Sequence, residues 1–496
     1  MVSSQRRWVR PLVVLVLVLG ATLTQARPAA AHASLTSVSP VDGAELRTAP
    51  STVLLTFSEV VEVVQDGIRV LDESGSPMPV GATRHPSGHP EQVEALLPTA
   101  LSPGTFVVDW RVVSDDGHPE QGSSSFSVGG VTRAVQSGSG ARDVPPRTTT
   151  GAILVARFVA LAGLTALVGG LGFLWCCWPA GWAERRSRTV LVAAALATAA
   201  ASGAQLLAQG AYADGHGFGA AFDVAQLYAT LGTRAGALEA VRAVTASAVA
   251  AVLVWWPHGR RWQRWGSSCG AGVLAMATAA SGHAGQGHDR VFATAIDVVH
   301  LGAAALWLGG LLMLLVGPLS TRVSSAQGRT ALVRYSRLAA TCVVLLVATG
   351  VVAGARRTGS LGALTQTSYG GVLIVKAALL ATILTFAAGA RQVVTRRLAP
   401  ATATAAADRP TGPAATRARG GVDTLQRADR QGSWTARQQT VDVGDLRRLR
   451  QSVVVELALG VVVLVATAWL IGLPTARSTY VPTSSTGTVG FVTERG

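Results

Sequence analysis

Eight apolar segments beyond residue 150 are each long enough, or nearly so, to cross a lipid bilayer. The chain has 496 residues, of which 49% are hydrophobic and 14% charged, so it is too apolar and too long for one soluble domain. We therefore predict an all-α membrane domain of about eight helices, over residues 152–178, 189–211, 236–256, 267–282, 291–317, 333–354, 371–390 and 452–473.

The basic residues indicate how these segments are oriented. The net charge is +15, and Lys376 is the only lysine, so nearly all the positive charge is arginine. Most arginines flank apolar segments, as topology determinants do, which argues against a nucleic-acid partner. Arginine-rich loops predict which connections are cytoplasmic; they read "AERRSR", "PHGRRWQRWG", "TRVSSAQGRTALVR" and a disordered insert over 391–451. Residues 151–390 then hold helices one to seven, and 474–496 form an exterior tail.

The N-terminus has the pattern of a signal peptide over residues 1–31. Arginines precede the apolar run "PLVVLVLVLGATL", and Ala29 and Ala31 occupy the small-residue positions of a cleavage site. Cleavage after Ala31 leaves His32 as the first residue, whose amine and ring nitrogens can together chelate a metal of the copper type. Cleavage elsewhere would leave His32 an ordinary linker residue.

Residues 32–130 alternate polar and apolar positions between turn residues, which predicts a small antiparallel β-sandwich. In "TFVVDWRVV", one face carries Phe106, Val108, Trp110 and Val112, and the half-polar opposite face predicts a solvated side. All four cysteines lie in or beside the later apolar segments, so the sandwich has no disulfide. The Gly-, Ser- and Pro-containing residues 131–150 predict a flexible linker to the membrane.

A second metal-binding pattern lies in "SDDGHPEQG". Asp116 and His118 are two residues apart, a spacing that points both side chains to one side of an extended segment. With His32 they offer an amine, two imidazoles and a carboxylate, a set that suits Cu(II) better than Mg or Ca, although zinc stays chemically possible. The alternative is an Asp-Gly turn with a solvated histidine.

The stretches "AHASLTSVSPVDGAELRTAPSTVLLTFSEVVE" and "SDDGHPEQGSSSFSVGG" resemble the CopC family of exported copper-binding proteins. The resemblance implies a Greek-key, cupredoxin-like sandwich with copper ligands at His32, Asp116 and His118, and Glu59 as an outer or weak axial contact. Some members carry a methionine-rich Cu(I) site, which we expect to be missing here because Met78 is the one methionine of this region. His85 and His89 are expected to be solvated surface residues.

Helices four to eight resemble the CopD family through "SGHAG", "HLGAAALWLGGL", "RYSRLAATCVVLLVATGVV", "TSYGGVLIVKAALL" and "RQSVVVELALGVVVLVATAWLIGLP". The two resemblances together imply a copper homeostasis or resistance protein of the cytoplasmic membrane, with its sandwich on the exterior side. The sandwich is then expected to capture Cu(II) and deliver it to the helices. The oxidation state of the copper inside the membrane stays open.

Ionisable residues inside a bilayer are costly and tend to line a pathway or to pair with one another. In the predicted topology Asp297 and His300 lie in the outer half, one turn apart on one helix face, and His283 lies at the outer mouth. The carboxylate is expected to orient the imidazole or to share a cation with it. We therefore predict a copper entrance formed by these three residues.

Three further residues are weaker candidates for this entrance. Arg157 and Lys376 lie in the same outer half, and Met276 lies seven residues before His283 on the same helix face, where its sulfur is a soft ligand. Lys376 has the alternative of extending its ammonium group outward to the interface. Met276 has the alternative of a simple packing role.

We expect a transporter and not an enzyme. The chain has no GxxxxGK[ST] or DKTG-like sequence, so transport would be passive, exchange-driven or dependent on a partner such as a reductase or a copper chaperone. A copper oxidase is an alternative because a terminal histidine chelate can activate oxygen, but Asp116 would fill its open position. A haem electron carrier is another alternative, for which His283 and His300 are the available axial ligands.

Overall fold

A computed structural model describes ten parts of the chain: residues 35–98, 101–114, 119–130, 147–213, 222–256, 260–282, 290–320, 326–393, 443–473 and residue 476. It confirms the predicted order of a β-sandwich followed by an all-α domain. Several predicted features lie outside the described residues: the signal peptide, most of the linker and of the 391–451 insert, and His32, Asp116, His118 and His283.

The sandwich consists of two sheets in the described region. The strands are β1 Leu35–Ser39, β2 Ala44–Leu46, β3 Thr52–Phe57, β4 Val61–Leu71, β5 Pro77–Met78, β6 Thr83–Arg84, β7 Gln92–Leu96, β8 Gly104–Ser114 and β9 Pro119–Val128. One sheet has the order β1-β3-β7-β6 and the other β2-β9-β8-β4-β5. Alternate residues of β3 enter the core, where Phe57 packs edge-on against Trp110 at 5.3 Å between ring centroids.

The solvated face predicted for β8 is wrong. Val107, Arg111 and Val113 on that face are buried, although only the opposite face, with Phe106, Val108, Trp110 and Val112, belongs to the main hydrophobic core. The reason is position in the sheet, because β8 is a central strand paired along its length with β4 and β9. The side chains of the two neighbouring strands therefore flank the residues of β8 on its outer face and shield them from solvent.

The helices of the described region are α1 Arg147–Cys176, α2 Arg185–Ala213, α3 Val224–Gly232, α4 Arg234–Trp255, α5 Arg261–Ala280, α6 Arg290–Val316, α7 Ala326–Thr358, α8 Leu361–Gln366, α9 Ser368–Val393 and α10 Val443–Ile471. Among these residues, seven helices are long and apolar enough to cross a membrane. The exception among the eight long helices is α5, whose first turn is polar and includes Arg261, Gln263 and Arg264. All eight predicted segments form helices, and seven of these helices have the length and apolarity of a membrane span.

Two connections between predicted membrane spans, within residues 212–235 and 355–370, contain helix. The segment "GARRTGSLGALTQTSYGG" was expected to be a loop, yet α7 continues through Arg357 and α8 follows almost at once. Ser360 caps α8 by accepting a hydrogen bond from the Ala363 backbone, which is a local reason for a helix there. The "AYADGHGFGAAFDVAQLYATLGTR" loop likewise contains α3, capped by Asp223.

Helices α1 and α6 pack closely near the centre of the bundle, through glycine. A β-carbon added at Gly169 would meet the Ala305 carbonyl oxygen, and one added at Gly309 would meet the Thr165 carbonyl oxygen. Small residues allow this approach, which maximises van der Waals contact where no hydrophobic effect operates between helices. The close pair holds α6, and with it His300, against the rest of the bundle.

Candidate functional site

The predicted copper ligands follow one end of the sandwich. Ser114 at the end of β8 pairs with Val61, and Val113 pairs with Pro119 at the start of β9. Residues 115–118, which include Asp116 and His118, connect these two strands and lie outside the described residues. Glu59 is half-buried and lies two residues before Val61. Glu59 thus belongs to the same end of the sandwich as the loop that carries two of the predicted ligands.

The same end contacts the helical domain. Glu62, next to Val61, accepts a hydrogen bond from the backbone N–H of Arg234 at 2.8 Å. Arg234 is the first residue of α4, so this carboxylate satisfies an N–H that has no partner within the helix and lies at its positive end. The Arg234 guanidinium also donates to the Ala280 carbonyl at the end of α5, 3.2 Å away. Ala280, which this hydrogen bond joins to Arg234, lies three residues before His283 along the chain.

His300 lies on α6, half-buried among helices. Its Nδ1 atom is 2.9 Å from the Thr349 hydroxyl of α7, and that hydroxyl also lies 2.5 Å from the Leu345 carbonyl oxygen. A carbonyl can only accept, so Thr349 donates its one proton to Leu345 and accepts from His300 Nδ1–H. The tautomer with a proton on Nδ1 leaves the Nε2 lone pair available to a metal.

The expected partnership between Asp297 and His300 is not formed. Asp297 instead accepts a hydrogen bond from Arg357 of α7 at 2.6 Å, and Arg357 also hydrogen-bonds Tyr369 of α9. A guanidinium competes more strongly for a carboxylate than a neutral imidazole does, because the pair is charge-assisted. The orienting residue of His300 is thus Thr349.

Lys376 belongs to the same region as His300. It is half-buried on α9, and its charge acts on His300 together with that of Arg357. With Asp297 paired to Arg357, the three charged side chains sum to about +1. The charged side chains described around His300 therefore carry a net positive charge.

The other two candidates do not join this group. Met276 on α5 has 53% of its surface exposed, so its sulfur faces away from the interior of the bundle. Arg157 on α1 lines a separate cavity with Glu239 and Arg242 of α4. His283 lies outside the described residues. Of the predicted entrance residues, Asp297, His300 and Lys376 therefore lie near one another.

The two sandwich histidines outside the predicted site have local partners. His85 Nδ1 donates to the Gln92 carbonyl at 2.7 Å, and His89 Nδ1 lies 3.0 Å from a Glu91 carboxylate oxygen. The Glu91 pKa is lowered, first by a hydrogen bond from its own backbone N–H and then by the hydrogen bond from His89. Both histidines are exposed, as expected for surface residues.

Sequence reasoning missed several residues of this region. Arg357 was placed in a loop, and Thr349 carries no signal because threonine is common in apolar helices. Glu239 and Arg242 gave a usable signal, since an acid and a base three residues apart in an apolar helix indicate a buried pair. Glu62 gave none, because its partner is 172 residues away along the chain.

Three family models match the chain. They are the CopC domain over residues 35–129, the N-terminal domain of copper resistance protein D-like proteins over 148–291, and copper resistance protein D over 329–418. The second match covers the first four long helices, of which only the fourth showed a specific sequence resemblance. Together the models account for the sandwich and for most of the helical domain.

Relatives match either one domain or both. Copper transport protein CutJ of Bacillus subtilis is 26% identical over 70% of this chain, and the match spans 65% of the length of CutJ. Copper resistance protein C of Xanthomonas campestris pv. juglandis is 36% identical over 24% of this chain and 96% of its own length. The crystal structure of CopC from Methylosinus trichosporium OB3b matches 20% of this chain and 93% of its own, with 31% identity and a TM-score of 0.19. Through its sandwich the chain belongs to the CopC family of copper resistance proteins, and its helical domain matches the family models of copper resistance protein D.

Proposed function

We propose that this protein captures a Cu(II) ion outside the cytoplasmic membrane and passes copper through its helical domain into the cell. His32, Asp116 and His118 hold the ion in the sandwich, and Glu59 supports it from the same end of the fold. The contact between Glu62 and Arg234 is the observation that carries this proposal, because it seats that end of the sandwich on the helical domain. A copper ion released there has a short path to the predicted entrance.

Inside the bundle, His300 is the receiving ligand. Its Nδ1–H donates a hydrogen bond to Thr349, so Nε2 carries no proton and its lone pair can bind the ion directly. His283 is the proposed first contact at the mouth. The net positive charge contributed by Arg357 and Lys376 keeps binding weak, which suits an ion in transit because conduction requires that the ion can also leave.

One observation supports a carrier over an enzyme: the relatives with matching domains are named for copper transport and copper resistance. A reductase or a copper chaperone is a proposed partner, because the capture site suits Cu(II) while soft ligands in cells select Cu(I).

Copper content of cells tests the proposal. Cells lacking other copper uptake are supplied with the full chain, His118→Ala, His300→Gln, or the control His85→Ala, and their copper is measured by mass spectrometry. We expect both site variants to fall to the level of cells without the protein, since glutamine is polar but a poor copper ligand. His85→Ala should match the unmodified chain. Normal accumulation with His300→Gln would contradict the proposed pathway, and normal accumulation with His118→Ala would contradict the proposed capture site.

A further inference from the structure

An apolar groove lies between α1, α5 and α6, toward the end of the bundle that the arginine-rich loops predict to be cytoplasmic. It has a volume of about 350 Å³ and is open to the outer surface of the bundle. On α5 its lining begins at Trp265 and ends at Ala275, and Leu306 lines it on α6. Gly272 and Gly302 leave it deep, because a β-carbon added at either residue would meet no atom within 4 Å.

The length of the groove matches one leaflet of a bilayer. Ala275 follows Trp265 by ten positions, which corresponds to about 15 Å of helix rise. This is half of a hydrocarbon core about 30 Å thick. A spanning helix of a second copy of the chain would need a contact surface through both leaflets, whereas an acyl chain ends near the midplane. The dimensions therefore favour a lipid acyl chain.

Tryptophans mark the headgroup level at one end of the groove. Trp175 of α1 and Trp265 of α5 line the groove with ring centroids 5.3 Å apart, and the Trp175 indole N–H donates to the Ser268 hydroxyl at 2.8 Å. Trp262, one turn before Trp265, is 65% exposed. Tryptophan is enriched where the hydrocarbon region meets the headgroups. The groove therefore starts at this boundary and extends inward from it.

Two arginines continue the groove face of α5 beyond the tryptophans. Arg261 lies four residues before Trp265, and Arg264 lies four residues before Ser268, so helical spacing places both in line with the groove. Long side chains in a helix lean toward its N-terminus, which extends both guanidiniums toward the headgroup level. An anionic headgroup there would lie directly beside the open end of the groove.

The surroundings of Arg264 favour a phosphate. Its guanidinium carbon lies 5.4 Å from the ring centroid of Trp182, whose ring contacts Trp175 of the groove. Arg264 Nε is buried and has no hydrogen-bond acceptor among the described residues. An acceptor oxygen would recover the free energy that this unpaired donor costs, and phosphate oxygens suit guanidinium donors well.

The charge of this end of the bundle also favours an anionic lipid. The connections "AERRSR" and "PHGRRWQRWG" together contain six arginines and one acidic residue, Glu184. Glu184 is exposed to solvent. A basic cluster at the membrane surface attracts anionic headgroups more strongly than zwitterionic ones.

We infer that the groove holds one acyl chain of an anionic phospholipid, whose phosphate is bound by Arg261 and Arg264. The chain lies along Gly272 and ends near Ala275. Gly302 borders the same groove two residues after His300, so the bound lipid packs against the helix that carries this histidine. The inference does not depend on copper transport.

Lipid retention tests the headgroup contact. The full chain is purified in detergent, stripped of lipid and mixed with equal amounts of phosphatidylglycerol and phosphatidylcholine that have the same acyl chains. Native mass spectrometry then counts the lipids that remain bound. We expect one phosphatidylglycerol molecule to be retained in preference to phosphatidylcholine. Arg261→Gln and Arg264→Gln should each lower this preference about fivefold, the contribution of one arginine near an anionic headgroup.

The matched control for charge is Arg337→Gln. Arg337 is an exposed arginine of α7, and α7 does not line the groove. Its substitution removes the same charge and should leave the preference unchanged. Equal retention of the two lipids by the unmodified chain, or an equal loss of preference in all three arginine variants, would overturn the inference.

Gly272→Leu tests the acyl-chain contact. Leucine at this position fills the groove, so retention of both lipids should fall several-fold. Gly203→Leu is the matched control, because Gly203 of α2 lies outside the groove and its added β-carbon also meets no atom within 4 Å. Unchanged retention in Gly272→Leu, or equal losses in both glycine variants, would contradict the proposed site. A dimer that Gly272→Leu dissociates would instead assign the groove to a second copy of the chain and overturn the inference.

Discussion

At the scale of single residues, the feature that orients His300 is a hydroxyl on the neighbouring helix. Thr349 donates a hydrogen bond to the Leu345 carbonyl and accepts one from the Nδ1–H of His300, so the ring has one tautomer and one orientation. In metal sites generally, a residue that hydrogen-bonds a ligating histidine fixes the orientation of its ring and strongly affects metal affinity. The effect is on geometry and protonation, not on bonding to the ion.

We expect Thr349→Val to lower the initial rate of copper uptake by about 10- to 100-fold, as for other residues that orient a metal ligand. Valine has nearly the same shape as threonine but cannot accept the Nδ1–H. Thr349→Ser, which keeps the hydroxyl, should restore most of the rate, as measured in cells with equal amounts of each variant. Equal rates for valine and serine variants would show that the hydroxyl does not position His300.

At the scale of elements, the contact between α1 and α6 depends on having no side chain at Gly169 and Gly309. We expect Gly309→Leu to wedge the two helices apart and to cost about 1–3 kcal/mol or more in stability, as overpacking does. Gly302→Leu is the matched control, because it lies on the same helix and its added β-carbon meets no atom within 4 Å. Thermal unfolding in detergent should show a lower midpoint for Gly309→Leu alone. Equal midpoints would mean that the helices adjust at no cost.

At the scale of the whole molecule, the sandwich is tethered by the linker and also seated on the helices through Glu62. We expect Glu62→Ala to leave Cu(II) binding intact but to lower copper uptake about five- to tenfold, the effect of one charge-assisted hydrogen bond. Hydrogen exchange gives a direct measurement, because the Arg234 amide loses its acceptor and should exchange faster.

A matched control for Glu62 is Glu94→Ala. Glu94 lies on β7 of the other sheet and pairs with Arg84, whose side chain is 62% exposed. Exposed pairs contribute little, so this variant should change neither uptake nor exchange at Arg234. Unchanged exchange at Arg234 in Glu62→Ala would show that the sandwich does not rest on α4.

The sequence by itself determined the two domains, the central part of every long helix, and the exposed positions of His85 and His89, although helices such as α7 and α10 begin several residues before the predicted spans. These properties depend on local patterns, namely alternation in strands, long apolar runs in helices and polar turns between them. These local sequence patterns did not predict where the polar ends of helices lie. Arg356 and Arg357 read as loop residues, yet both lie in the last turn of α7, where positive charge is favourable at the negative end of the helix.

Only the tertiary structure decided which polar groups meet. Asp297 is three residues from His300, but it pairs with Arg357, which is 60 positions away. Glu62 meets Arg234, and Arg157 shares a cavity with Arg242, for the same reason. Inside a bundle each ionised group takes the strongest partner that helix packing brings within reach, because an unpaired charge there is costly. That choice depends on how whole helices are arranged, which no short stretch of sequence records.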